Sequence, residues 1–196
     1  MIAPHERPLQ PGPAADLAGR LQALVPVLDT DRLRLRVPTL ADFPAWAEIL
    51  CSPRAEYMDG PYSRDDAFTE FAATVGSWLL RGHGPWTIES RENGEVLGFV
   101  CLNMEPSDQE PELGYFLRAS AEGQGIAAEA TQAARDRAWA LGIPSLVSYI
   151  GPLNTRSVAL AERLGAQRDT RAEAAFEGTP DADVLVYRHP RPEMAP

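Results

Sequence analysis

The sequence predicts a mixed α/β fold, on three observations. Three strand-like segments follow one another between residues 85 and 117. Two helical patterns precede them, and two more alternate with strands after them. A glycine turn joins the third of those strands to the next helix. Consecutive strands favour antiparallel pairing, so this order implies a mixed sheet and not a regular βαβ array.

Residues 1–27 begin with Pro4, Pro8, Pro11 and Pro13 and continue in a short amphipathic stretch over 17–25. They read as a partly disordered extension ahead of a domain at 28–189. Arg32-Leu33-Arg34-Leu35-Arg36-Val37 has period two, with leucines on one face and arginines on the other. Thr39 then opens a helix with Asp42 at its third position, an acidic variant of the capping box, and Leu40, Phe43, Trp46 and Leu50 form its apolar stripe. Ser63 caps a second helix that runs to about Leu80, with Asp65 and Asp66 in its first turn and Phe68, Phe71, Val75, Trp78 and Leu79 on its apolar face.

Strands over 85–90 and 96–103 flank Glu92-Asn93-Gly94-Glu95, a hairpin turn because Asn-Gly tolerates positive φ. A third strand, 112–117, follows a polar loop. After the glycine turn come a helix to about Leu141, a strand over 145–150, a helix over 154–164 and two last strands. His189-Pro190-Arg191-Pro192 stops the final strand, leaving 190–196 as a tail.

A chain of 196 residues with 44% apolar content forms one domain whose core needs no disulfide or metal. Its apolar runs are far too short to cross a bilayer, and the N-terminus lacks a basic region followed by an apolar one. The expectation is a cytoplasmic protein with no membrane partner. Cys51 and Cys101 are far apart and read as small core residues. His83 falls in a glycine-rich loop and His5 and His189 in tails, so no metal-ligand spacing exists. Eighteen basic against twenty-eight acidic residues give a net charge of −10. That field repels nucleic-acid phosphates and favours cationic small molecules or basic peptides.

The segment Glu122-Gly123-Gln124-Gly125-Ile126-Ala127-Ala128-Glu129-Ala130 is the main candidate for chemistry. Its glycines permit tight backbone angles and leave amides uncovered. The first amides of the following helix lack internal partners, and the helix dipole favours an anion there. The turn therefore reads as a site for a cofactor's pyrophosphate, held by backbone and not by lysine. The dinucleotide fingerprint would need a third glycine where Ala128 stands, and a P-loop would need Gly-Lys-Ser/Thr.

In its wider context the sequence resembles the GNAT superfamily of acetyl-CoA-dependent N-acetyltransferases, in the branch that acetylates ribosomal-protein N-termini. The resemblance covers most of residues 29–170. It rests on Thr30-Asp31-Arg32-Leu33-Arg34-Leu35-Arg36, Trp86-Thr87-Ile88, Val96-Leu97-Gly98-Phe99-Val100 and Glu112-Leu113-Gly114-Tyr115-Phe116-Leu117. It continues through the glycine turn to Asn154-Thr155-Arg156-Ser157-Val158-Ala159-Leu160-Ala161-Glu162-Arg163-Leu164-Gly165-Ala166. The fold it implies is a mostly antiparallel sheet of six to seven strands, with helices on both faces and a V-shaped splay that holds acetyl-CoA. The family's cofactor motif is usually Gln/Arg-x-x-Gly-x-Gly/Ala, whereas here Glu122 takes the first position.

The resemblance also implies roles. Glu122, Gly123, Gln124, Gly125, Ile126, Ala127 and Ala128 would hold the cofactor's phosphates, with Arg156 beside them and Asn154 on the pantetheine arm. The amides of Phe116 and Leu117 would meet the thioester carbonyl. Glu112 becomes the candidate general base, through a water, with Glu105 and Glu110 as competitors. Many relatives place a tyrosine seven residues after the motif asparagine, and here that position is Ala161. Ser157 is the candidate acid in its stead, although a first-turn serine can equally bond its own helix.

The acceptor groove would lie between the first two helices and the last strand pair. Glu56, Tyr57, Asp59 and Tyr62 fall there, with Glu173, Glu177, Asp181 and Asp183 opposite. Acidic walls suit a protonated peptide or protein N-terminus, or a polyamine or aminoglycoside. The missing tyrosine and the Glu122 departure also fit an acyl-CoA-binding sensor. A homodimer is common among such relatives.

Overall fold

The computed structural model describes residues 3–191. Met1, Ile2 and residues 192–196, parts of the expected extension and tail, lie outside the described residues. The sheet has eight strands: β1 (Leu28–Asp29), β2 (Leu33–Arg36), β3 (Pro85–Ser90), β4 (Val96–Asn103), β5 (Glu112–Leu117), β6 (Val147–Ile150), β7 (Gln167–Arg168) and β8 (Leu185–Arg188). Their spatial order is β1-β2-β3-β4-β5-β6-β8-β7. Every neighbouring pair is antiparallel except β5 and β6. The architecture agrees with the GNAT expectation, but the strand count exceeds six to seven. The two-residue strands β1 and β7 are too short to carry a hydrophobic period.

The helices are α1 (Pro13–Gln22), α2 (Phe43–Leu50), α3 (Arg64–Arg81), α4 (Ile126–Ala140), α5 (Thr155–Arg163) and α6 (Thr170–Glu173). Among the described residues none is long and apolar enough to cross a membrane. Before α2, the Asp42 carboxylate accepts the Thr39 N–H at 2.7 Å and accepts from both terminal guanidinium nitrogens of Arg36, at 2.7 and 2.8 Å. Ser63 caps α3 by accepting the Asp66 N–H at 3.1 Å. α1 buries no residue. Nearby, Pro26 is tied to the core by the Trp86 indole N–H at 2.9 Å, and Glu6 by Arg64 at 2.7 Å.

Alternation along the strands divides the core between two faces. On one, α2 and α3 cover Phe99 and Phe116; the Trp46 ring meets Phe71, Phe99 and Phe116 at centroid distances of 5.3, 4.9 and 4.7 Å. Such edge-to-face pairs add about 0.5–1.5 kcal/mol each beyond area burial. On the other face Ala130, Ala134 and Ala138 of α4, four residues apart, let the helix lie close on Leu33, Leu35, Trp86 and Val100. α5 packs through Ala161 against Ile150 and Tyr187.

Candidate active site

β5 and β6 pair only at Glu112↔Val147, and beyond that point the sheet opens. The Val147 N–H still donates to the Pro111 carbonyl at 3.1 Å. One step further, a parallel ladder would join the Tyr149 N–H to the Leu113 carbonyl. Both groups are taken by side chains: Tyr149 N–H donates to Glu112 Oε1 at 3.3 Å, and the Ser148 hydroxyl donates to the Leu113 carbonyl at 2.7 Å. Ser148 Oγ is also 3.1 Å from His189 Nε2. His189 therefore belongs not to a tail but to the floor of the gap. It is 3% exposed, and its N–H donates to the Leu146 carbonyl at 2.9 Å.

A cleft of about 1310 Å³ runs through this opening, from the N-termini of α4 and α5 to the connection between α2 and α3. Glu112 stands at its floor, with its carboxylate 3.8 Å from where a Cβ on Gly114 would sit. Burial, with Asp108 and Glu105 nearby, pushes the Glu112 carboxyl up to about 8; the Tyr149 N–H opposes this. Burial likewise raises Glu105 to about 7, helped by Asp108, Glu70 and Asp59. Glu110, the other competitor, is absent from the cleft lining. Arg188 clamps it at 2.6 and 2.7 Å and holds its carboxyl below the ordinary range.

At the end of the cleft nearest α4, Gly123 and Gly125 adopt φ of +72° and +78°, where an L side chain is strained. The first helical bond of α4 is Glu129 N–H to the Gly125 carbonyl at 3.1 Å, so the amides of Ile126, Ala127 and Ala128 have no partner within the helix. All three residues line the cleft, as do Glu122, Gly123 and Gly125. Gln124 does not. Its side-chain amide donates to the Ser120 carbonyl at 2.6 Å, and its own carbonyl accepts from Arg32 at 2.9 Å. Glu129 moors the turn, accepting from the Arg32 N–H at 3.0 Å, Arg32 Nε at 2.7 Å and the Thr30 hydroxyl at 2.5 Å.

Glu122 bridges two cations, Arg54 on one carboxylate oxygen and Arg156 at 3.0 Å on the other. Burial pushes its carboxyl up, but the two guanidinium groups outweigh that and hold it below its ordinary value. On α5, Asn154 Oδ1 accepts the Ser157 N–H at 3.2 Å and caps the helix. The Ser157 hydroxyl stands 3.3 Å from the Tyr115 hydroxyl. Ala161 is buried against Ile150, Ala166 and Tyr187.

Phe116 and Leu117 differ in the direction of their peptide groups. The Arg118 N–H donates to Leu97 of β4, whereas the Leu113 and Leu117 carbonyls accept from groups across the gap, Ser148 and Arg54. Strand alternation therefore turns odd-numbered peptide groups of β5 toward the gap and even-numbered ones toward β4. Leu117 presents its amide to the cleft and Phe116 does not; Phe116 contributes its ring, against Trp46.

At the other end, Glu56, Tyr57, Asp59 and Tyr62 all line the cleft, joined by Glu70, Glu105, Asp108, Asp181 and Asp183. The Tyr57 hydroxyl donates to the Leu153 carbonyl at 3.4 Å, touching the opposite wall. Glu173 instead pairs with Arg168 at 2.8 Å, and Glu177 is outside the lining. The cysteines separate: Cys101 is buried in β4, but Cys51 is exposed, because α2 ends one residue before it. Tyr115, Ser148, His189, Arg54 and Glu70 are among the lining residues that sequence patterning did not single out. Tyr115, Ser148 and Glu70 fall on strands and a helix that were legible, whereas the wall each faces was not; Arg54 lies in the link between α2 and α3, and His189 lies just after β8.

Residues 32–167 match the family model described as an acetyltransferase (GNAT) domain. Among solved structures, an acetyltransferase from Agrobacterium tumefaciens is 40% identical with a TM-score of 0.77, over 85% of this chain and 95% of that one. An acetyl transferase from Salmonella typhimurium, which modifies the N-terminal serine of a 50S ribosomal subunit protein, superposes with a TM-score of 0.66 at 22% identity, over 84% of this chain and 98% of that one. A ribosomal-protein α-N-acetyltransferase in complex with coenzyme A shares the fold at 21% identity and a TM-score of 0.66, over 84% and 97% of the two chains.

Proposed function

The chain belongs to the GNAT acetyltransferase family, and from that premise we propose that it acetylates the primary amine of a peptide or protein N-terminus. It is an acyltransferase with acetyl-CoA as cosubstrate. Bound acetyl-CoA supplies an acetyl group activated as a thioester. The cleft suits it: two helix N-termini face the same space, and Arg54 and Arg156 stand beside them.

The observation that supports acetyl transfer to an amine is the course of the cleft. It passes from those anion-favouring helix ends, through the gap at Glu112, to a wall of carboxylates. The amides of Gly123 and of Ile126 to Ala128 hold phosphates. Asn154 orients the pantetheine arm. The Leu117 amide faces the developing oxyanion. Glu112, kept protonated toward about 8 while no acceptor stands beside it, ionises when an ammonium group enters and then takes the ammonium proton through a water. Ser157 returns a proton to the departing sulfur. Holding both reactants in one cleft supplies much of the rate.

The N-terminal acceptor is favoured by the likeness to the Salmonella enzyme. The density of carboxylates at the acceptor end favours a second reading, a polyamine or an aminoglycoside. Thiol release from acetyl-CoA, measured against N-terminal peptides, polyamines and aminoglycosides, separates the two. Release with peptides alone supports the proposal, and release with small amines alone replaces it. Coenzyme A binding with no release from any acceptor marks an acyl-CoA sensor.

A further inference from the structure

We propose that Tyr115 is a positioning residue in the proton path to the leaving sulfur, acting through Ser157. This inference rests on the acetyl-transfer reading above. Its basis is the hydroxyl pair that the two residues form across the cleft, 3.3 Å apart. Tyr115 rises from β5 on the α4 face of the sheet, and Ser157 comes from the first turn of α5. Both line the cleft. Among the described residues, the hydroxyl of each has the other as its hydrogen-bond partner and no carbonyl besides. A serine in a first helical turn commonly bonds back to its own helix. Here the tyrosine draws it into the cleft.

The pair answers a chemical need. Position 161, where a tyrosine would have offered its hydroxyl, holds a buried alanine. An aliphatic hydroxyl alone is a poor acid, and a second hydroxyl that follows its proton makes it a better one. The N-terminus of α5 further favours negative charge at this spot.

The step balances as a transfer. As the C–N bond forms and the C–S bond breaks, with its electron pair on sulfur, Ser157 gives its proton to sulfur and takes the proton of Tyr115. Glu112 collects the proton that the amine loses. Water in the open cleft restores Tyr115 before the next cycle.

The test uses the full chain as wild type, Tyr115→Phe, Ser157→Ala and the double variant. Three quantities are read: the dissociation constant of coenzyme A by calorimetry, the ionisation of its bound thiol by thiolate absorbance, and kcat and KM with the acceptor found above. Tyr115→Phe is expected to hold coenzyme A within about twofold of wild type, because the ring stays in place. It should also move the bound thiol's ionisation to higher pH and lower kcat about tenfold at constant KM. The double variant should match Ser157→Ala. Wild-type thiol titration and kcat in Tyr115→Phe would overturn the inference, as would a double variant well below Ser157→Ala. Wild-type protein that fails to bind coenzyme A would overturn the functional reading, and this inference with it. Binding by the wild type, with Tyr115→Phe equal to it in every readout, would overturn this inference alone.

Discussion

Glu122 and Arg156 meet at 3.0 Å beside the mouth of the cleft, and Arg54 holds the other oxygen of the same carboxylate. A carboxylate at the head of the turn proposed to hold phosphate would repel that ligand if it stood alone. Here one negative and two positive side chains leave the cluster with net positive charge. The carboxylate acts as a local counter-ion for both arginines, and an incoming phosphate must compete with it.

Glu122→Gln should therefore tighten coenzyme A binding. The cluster is partly exposed, so the gain is modest, about 0.5–1 kcal/mol, or roughly two- to fivefold in the dissociation constant. Calorimetry with coenzyme A checks it. Weaker binding would mean that Glu122 orders the turn more than it opposes the ligand.

Gly125 tests the turn itself. A Cβ there would meet only the Arg32 guanidinium, at 3.5 Å, so space is not the obstacle; φ of +78° is. Gly125→Val should cost about 1–2 kcal/mol of stability in the left-handed conformation. It should also abolish coenzyme A binding by turning the amides of Ile126 and Ala127 away. A thermal melt read beside calorimetry separates the two effects.

Glu112→Gln should lower turnover by about 10²- to 10⁴-fold while leaving coenzyme A affinity unchanged. It also has a pH signature. The Glu112 proton is held up to about 8 in the folded chain, against 4.5 for the unperturbed group. Between those values the folded state binds more protons than the unfolded one, so this group lowers stability as pH rises through that window. The glutamine variant escapes that loss. It should melt with the wild type below the window and above it at pH higher than about 8. Coincident melts at every pH would remove Glu112 from the ionisable groups of the floor.

Asp42 tests the scaffold. It is 2% exposed and accepts two bonds from Arg36 and one from the Thr39 N–H. Asp42→Ala would leave Arg36 with Glu89 alone among its carboxylate partners, at 2.7 Å. The expected loss is about 3–5 kcal/mol, the cost of breaking a buried ion pair from one side. Burial pushes the Asp42 carboxyl up, but its bonds to Arg36 and Thr39 hold it below 3.8. Its contribution is therefore present at neutral pH and fades as pH falls through that lowered value. Denaturant melts of the variant at neutral pH check the magnitude.

Much of the molecule was legible because its signals are local. The strands Pro85–Ser90, Val96–Asn103 and Glu112–Leu117 lie where alternation and an Asn-Gly turn put them. Ser63 caps α3, the helix that its place ahead of Asp65 and Asp66 predicts. The glycine turn ahead of α4 was equally readable, since its glycines and the helix N-terminus are consecutive in the chain.

Direction and pairing across the fold were not legible. Which competitor of Glu112 reaches the cleft depended on Arg188, far along the chain, clamping Glu110. Phe116 and Leu117 are adjacent, yet strand alternation relative to β4 turns only one amide toward the gap. Gln124 folds back on Ser120, His189 reaches Ser148, and Tyr115 finds Ser157, each through contacts that no local period encodes. By itself the sequence determined most of the longer elements, the caps at Thr39 and Ser63 and the glycine turn ahead of α4, because those depend on neighbours within one helical turn or one hairpin. Only the tertiary structure decided where the sheet opens and which side chains hold it open. That outcome rests on Glu112 and Ser148 outcompeting a ladder bond between two strands 35 residues apart.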